Sequence, residues 1–330
     1  MKKFKLLILL VSIGVTAFSQ NKLTGSNISL LKEKEDSLSF FSNQMINAEQ
    51  AHERFRADSN FVRILVRALQ IPYSLQYPFQ NLQTVSQLYP PDSSFRIFTW
   101  QLKKDEYVYL QKGAIQVKTD DGRLRLFPLF DVSMFTSNPT DSIRNHLNWI
   151  GAIYYKIIQT SHQGRQYYTL LGFDDYGISS NKKWMEVLSF NQKGEPQFGG
   201  NFIRIDKDST GNKLRHRFNI EYKKDANTVF NFDKEMNLIV FDHLISETDE
   251  PDRKQTYIPD GSYEGFKWEN GKWVHIDKIF NFALEDGQFP QDAKIRDDQG
   301  NINEALLEEA SRRNMERADS LKRKKNDDNK

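Results

Sequence analysis

Tyr263-Glu264-Gly265-Phe266-Lys267-Trp268-Glu269-Asn270-Gly271-Lys272-Trp273-Val274-His275-Ile276 is the stretch that decides the fold class. Alternating apolar and polar residues flank Asn270-Gly271. Both turn residues tolerate the left-handed backbone that a two-residue reversal demands, so the segment reads as an antiparallel hairpin. The same punctuation recurs at Asp121-Gly122, Gln163-Gly164 and Lys193-Gly194. Working outward from these turns, strands are expected at 95–103, 106–118, 123–130, 149–160, 166–174, 183–191, 198–206, 214–223, 227–233, 237–246, 263–269 and 272–281. Short connections join antiparallel neighbours and leave no room for crossover helices. The expected fold is α+β, mainly β: an antiparallel β-meander, barrel-like or sandwich, with N-terminal helices packed on it.

Upstream of the strands the periodicity changes. Leu31, Leu38 and Met45 recur every seven residues, with Phe41, Ala48 and Phe55 offset from them, which places one apolar stripe on a helix running from about Ile28 to Phe55. Asp58 or Ser59 would cap a second helix, Phe61 to Leu69, ended by Pro72. The stripe suits a helix laid on the main domain, and a coiled-coil dimer is the alternative. Residues 72–92 read as an aromatic-rich connector with a helical turn near Asn81 to Leu88. The expected organisation is a signal peptide over 1–19, a helical segment and connector over 20–92, an antiparallel β domain over 93–284, and a charged, partly helical or disordered tail over 285–330.

The first twenty residues carry an export signal. Lys2, Lys3 and Lys5 precede the apolar run Leu6 to Val15, and Ala17-Phe18-Ser19 offers small residues for cleavage after Ser19. Removing 1–19 leaves 43 Lys+Arg against 44 Asp+Glu, a net charge of −1 in place of +2. A near-neutral chain gives no electrostatic reason to expect nucleic acid as a partner. With no cysteine, disulfides and thiol chemistry are excluded. No later stretch is long and apolar enough to span a membrane as a helix, so no transmembrane segment is expected after cleavage.

Polar residues inside apolar strands are the candidate site. Leu238 to Ile245 reads as a central strand interrupted by Asp242 and His243; Lys156 interrupts Trp149 to Ile158, and Glu186 interrupts 183–191. A buried charge needs a partner, so Lys156, Glu186 and Asp242 could meet inside a barrel as a pocket floor or a structural ion pair, with charges on a solvated face as the alternative. Asp242 is expected to be buried, with Lys156 or a neighbouring backbone donor as its partner. Asp174 and Asp175 end a strand as paired carboxylates suited to acid–base work or to ordinary turn chemistry. Asp206-Asp208-Gly211 and Asp297-Asp298-Gly300 resemble starts of calcium loops, but the first has Arg217 at position twelve and the second has its glycine displaced. No HExxH, Gly-x-Ser-x-Gly, GxGxxG or phosphate loop is present, and neither metal nor cofactor is expected.

Phe61-Val62-Arg63, Asp92-Ser93-Ser94-Phe95-Arg96-Ile97-Phe98-Thr99-Trp100, Asn148-Trp149-Ile150-Gly151-Ala152-Ile153-Tyr154-Tyr155 and Tyr263-Glu264-Gly265-Phe266-Lys267-Trp268 resemble a family of uncharacterised secreted proteins of Bacteroidota. The resemblance runs from about Asp58 to Phe282. It implies a periplasmic or extracellular location in the envelope of a two-membrane bacterium, and it assigns no site residues. The expected role is non-enzymatic, binding or structural, toward an envelope protein or polymer. The alternatives are a hydrolase of an envelope polymer working through paired carboxylates and a carrier of a small apolar ligand in a barrel cavity.

Overall fold

Helix α1 (Gly25–Asn47) begins where the Thr24 side chain accepts the Asn27 N–H, and it stops where Ala48 turns extended. Helix α2 (Ala51–Leu69) follows almost at once. The computed structural model describes residues 22–206 and 214–279. The expected export signal, the expected charged tail, the loop from Asp297, and Asp208 and Gly211 of the loop from Asp206 lie outside these residues. The helix break therefore falls at 48–50, not between Phe55 and Phe61, and Asp58 lies inside α2 rather than at a cap. Asp58 is buried, and its carboxylate accepts from Lys112 and from Trp100 Nε1. These long-range partners are invisible in the local pattern. The apolar stripe behaves as expected: Leu31, Leu38 and Met45 are fully buried in a core with Phe61 and Leu65 of α2.

The first sheet runs in order β1 (Val85–Leu88), β2 (Phe95–Lys103), β3 (Tyr109–Val117), β4 (Arg125–Leu129), all antiparallel. Strand β1 replaces the helical turn expected over 81–88, because Val85 to Leu88 find ladder partners in Trp100 to Ile97. Alternation along β2 serves two cores. Phe98, Trp100 and Leu102 face the helices, and Phe95 and Ile97 face the opposite way.

The second sheet takes β5 (Arg144–Asn145), β6 (Ile153–His162), β7 (Arg165–Asp174), β8 (Ser180–Phe190) and β9 (Pro196–Phe198), in order β5-β9-β8-β7-β6. It is covered on both sides. Leu170, Trp184 and Leu188 meet Phe95 and Ile97 of the first sheet, while Leu171, Met185 and Val187 face the third.

After β9 the chain leaves this sheet at Gly199 and Gly200, whose φ values of +86° and +138° are closed to residues with side chains. A Cβ on Gly199 would also stand 3.1 Å from the His216 carbonyl. Short strands β10 (Ile203–Arg204) and β11 (Leu214–Arg215) join the third sheet, and β12 (Arg217–Lys223) returns to pair with β8. Then come β13 (Phe230–Asp233), β14 (Leu238–Ser246), β15 (Tyr257–Glu269) and β16 (Lys272–Ile276). The third sheet has the order β11-β10-β16-β15-β14-β13, and β10 with β16 is the one parallel strand pair among the described residues. Helices and three sheets thus stack in layers around three apolar cores. None of the sheets closes on itself, so the barrel form of the expectation gives way to a sandwich.

One ion pair holds the return of β12. Arg217 and Glu186, with side chains 1% and 2% exposed, meet at 2.6 Å. Arg217 also donates to the carbonyls of Pro139, Ser142 and Phe198 at 2.8–3.1 Å. Glu186 accepts in addition from the Tyr154 hydroxyl, and Tyr154 in turn accepts from Trp149 Nε1 at 2.6 Å. Removing one charge strands the other out of water. Arg217→Met should lower the unfolding free energy in urea by about 3–5 kcal/mol. A loss under about 1 kcal/mol would show that the pair does not hold these segments.

Candidate functional site

The expected trio does not assemble. A bulge at Tyr155 shifts the β6–β7 register between Tyr154 and Lys156, so Tyr154 pairs with Gly172 and Lys156 with Leu171. Lys156 therefore leaves the face of Tyr154 and joins the side of the second sheet that looks at the third. Glu186 points the other way, to Tyr154 and Arg217. Asp242 lies on the third sheet and accepts the Val229 N–H at 2.6 Å. That bond extends the β13–β14 ladder with a side-chain acceptor, so of the two expected partners, Lys156 and a neighbouring backbone donor, it is the backbone.

The strand carrying Asp242 is central, with β13 and β15 as neighbours, but only its first half is covered. A second bulge, between Asp242 and Leu244, follows the point where pairing with β13 stops at Phe230 opposite Phe241. Beyond it the His243 side chain is 40% exposed and Ile245 is exposed.

Asp174 and Asp175 alternate to opposite sides of the chain and do not form a pair. Asp175 holds Lys224. Asp174 is 8% exposed and accepts from Gln111 Nε2 at 3.2 Å, at the seam of the first and second sheets. Burial, and after it the nearby Asp131 carboxylate, raises its carboxyl to about 6 against the Gln111 hydrogen bond, Lys182 and the indole of Trp184. Trp184 Nε1 is near enough to act on Asp174 yet completes no hydrogen bond. Asp131 is itself consumed by its loop. It accepts from Ser133 N and Oγ at 2.8 and 3.0 Å and from Gly151 N at 2.9 Å. The two carboxylates that act on each other, Asp174 buried and Asp131 half-buried, are thus structural.

The side of β6, β7, β8 and β12 that faces the third sheet ends in an open groove of about 580 Å³. Tyr155, Phe173, Asn181, Lys183, Tyr222 and Lys224 form its main lining, and residues 225–227 close one wall. Ladder register explains the grouping: Phe173 lies opposite Lys183, and Asn181 opposite Tyr222. Tyr155, the bulged residue, is 37% exposed and anchors its hydroxyl on the Phe230 carbonyl at 2.6 Å. Lys183 donates to the Thr228 carbonyl. Burial lowers the Lys183 ammonium pKa while Asp242 opposes that, and burial raises the Asp242 carboxyl against the Val229 N–H and Lys183. Lys224 is balanced by Asp175 and also donates to the Gly177 carbonyl at 2.8 Å. Asn181 Oδ1 and Thr228 Oγ1 are buried without hydrogen-bond partners.

The groove therefore offers ring faces, an amide and charges already compensated within its own walls. The sequence reading missed Asn181 and Lys183, although alternation in β8 sets both in line with Met185 and Val187. Nothing local marked Tyr155, because only the bulge turns it outward. No family model, no curated protein and no solved structure matches this chain.

Asp174 gives a signed pH dependence. Its carboxyl rises from an ordinary 3.8 to about 6, so the fold holds a proton that the unfolded chain has released. That contribution is full below pH 3.8 and is lost as pH rises through about 6, a loss of about 3 kcal/mol. Asn at this position keeps an acceptor for Gln111 and carries no charge. Asp174→Asn should therefore gain stability over the parent chain between pH 4 and pH 7.5 in urea titrations, and a constant difference across that range would refute the assignment.

Proposed function

We propose that this chain is an exported protein of the bacterial cell envelope that binds a neutral, polyhydroxylated polymer, a glycan segment, in the groove between its second and third sheets. The n-, h- and c-region order over residues 1–19 supports export. The lining of the groove carries the rest of the reading. Ring faces of Tyr155, Phe173 and Tyr222 suit the C–H faces of sugar rings, and Asn181, Lys183 and Asn227 supply polar groups for hydroxyls. Lys224 is matched by Asp175 and Lys183 lies beside Asp242, so the walls carry little uncompensated charge and favour a neutral ligand over a polyanion.

A hydrolase reading would draw on Asp131 and Asp174. Neither lines this groove, and both are tied into the structure that holds the sheets together. A carrier reading needs an apolar enclosure, whereas this groove is open and largely polar.

Two measurements test the proposal. N-terminal sequencing of the exported form should begin at Gln20; an abundant stable form retaining Met1 would remove the envelope location. Calorimetric titration of residues 20–330 against a panel of soluble neutral envelope glycans should find a binder. Tyr155→Ala and Asn181→Ala should each weaken it about tenfold, the effect of roughly 1.4 kcal/mol. The affinity should be nearly constant between low and high salt, since no charge pairing is screened. Binding unchanged in both variants would exclude the groove. A steep fall with salt would mean a polyanionic ligand in place of the neutral one.

A further inference from the structure

A second cavity lies apart from the groove, on the first sheet. It encloses about 270 Å³ between the segment Tyr73 to Gln76 and the turn that joins β3 to β4. Tyr73, Leu75 and Val117 give it apolar walls, and Lys118, Asp120 and Arg123 bring both signs of charge to it.

The walls are locked together. Tyr73 takes a left-handed backbone, φ +60°, which is costly for a bulky residue. Its N–H donates to the Gly122 carbonyl at 3.0 Å. Its ring lies against Gly122, where a Cβ would stand 2.7 Å from two ring carbons, so only glycine admits the ring there. The apolar wall is thereby fixed to the turn that carries the charges.

Gln116 also lines the cavity. Its Oε1 accepts from Arg96 Nη2 at 2.7 Å, and its Nε2 donates to Ser74 Oγ at 2.9 Å. Arg96 is wholly buried, and every acceptor it has is neutral: the carbonyls of Ser74 and Tyr77, the Tyr89 hydroxyl and Gln116 itself. No carboxylate acts on its charge. Burial lowers the guanidinium to about 10 against the Tyr89 contact, so it stays charged at neutral pH. A buried cation without a counter-ion is costly, and its field is not cancelled within the fold. An anion in the cavity beside Gln116 would offset it.

Arg96 stands opposite Gln116 in the β2–β3 ladder, and alternation sets Lys118 on the same side. Among the described residues the side chains of Lys118 and Asp120 have no hydrogen-bond or ion-pair partner. Arg123 leans on Asp121 at 3.3 Å and is 86% exposed, which puts it at the mouth. The cavity thus offers a free cation backed by a buried one, a free carboxylate and an apolar wall. A simple anion would be repelled by Asp120, and a simple amine by Lys118 and the field of Arg96. A molecule that carries both charges on neighbouring atoms satisfies both sides.

We propose that this cavity binds a free α-amino acid with an aliphatic side chain, its carboxylate on Lys118, its ammonium on Asp120 and its side chain against Tyr73, Leu75 and Val117. The site is independent of the glycan groove.

The test is calorimetric titration of the whole exported chain, residues 20–330, with both enantiomers of leucine and with two molecules that each carry one of its charges. These are 4-methylpentanoate, which lacks the amine, and 3-methylbutylamine, which lacks the carboxylate. One leucine per chain should bind, and each single-charge molecule should bind at least tenfold more weakly. Lys118→Gln should weaken leucine about tenfold without weakening 3-methylbutylamine. Asp120→Asn should weaken leucine about tenfold without weakening 4-methylpentanoate. Both positions are exposed, so the fold tolerates either change, and circular dichroism checks it. Asn181→Ala, in the groove, should leave leucine binding intact, so the two sites are read separately. Failure of both enantiomers to bind the parent chain would overturn the proposal. So would 4-methylpentanoate binding as tightly as leucine, or leucine affinity unchanged in both charge variants, which would place the ligand elsewhere.

Discussion

Burial of the second sheet on both faces is the constraint on which the rest of the structure depends. Tyr168 to Gly172 on β7 and Trp184 to Leu188 on β8 are buried without interruption. Water reaches neither side, so a polar group placed there has only the chain to bond to, and Trp184 Nε1 is left without a bond. Thr169 and the Tyr168 hydroxyl, which donates to Asp92 at 2.6 Å, bond across layers, while Glu186 bonds within the second sheet. Glu186 is matched by Arg217 and Tyr154, and Thr169 accepts from Trp273 Nε1 of the third sheet at 2.7 Å. A pair of charges in such a place is costly to bury and more costly to break, so it fixes which segments can stand beside β8. The apolar contacts around it are less selective, because many side chains of similar size would fill the same space.

The layered arrangement also dictates where binding chemistry can lie. Interlayer space is filled by apolar side chains in the middle and opens at the sheet ends, where strands stop at different lengths. The groove sits at one such end. There β13 starts late, β6 bulges, and the 224–229 connection passes over the row of Tyr155, Phe173 and Lys183. His243 sits next to it, where β14 runs on past the first residue of β13 and turns that side chain outward. Bulges recur at both places. They add a residue to one strand, break the two-residue alternation and re-aim a side chain. Each of these two places is thus tied to an interruption of an otherwise regular ladder.

Alternation and turn chemistry determined much of the fold before any tertiary contact was known. The hairpins at Asp121-Gly122, Gln163-Gly164, Lys193-Gly194 and Asn270-Gly271 all form, with positive φ at each glycine. The heptad stripe of α1 faces the core as its spacing requires. These features are local, set by backbone preferences over a few residues. What the sequence could not reveal is non-local. Lys156 was placed on the face of Tyr154 because strict alternation has no way to signal a bulge. Asp58 was read as a cap because its partners on β2 and β3 are more than forty residues away. Asp174 was paired with its neighbour Asp175, whereas a strand turns consecutive side chains to opposite faces and its real neighbour is Asp131. His243, Glu264 and His275 form no spaced motif, and only the β14-β15-β16 ladder brings them side by side. Sequence alone determined element type, turn position and the burial of each apolar stripe, since those follow from periodicity. Tertiary structure alone decided which charges meet, because a partner is selected by register across strands and by the stacking of sheets, and neither is written in the spacing of a single segment.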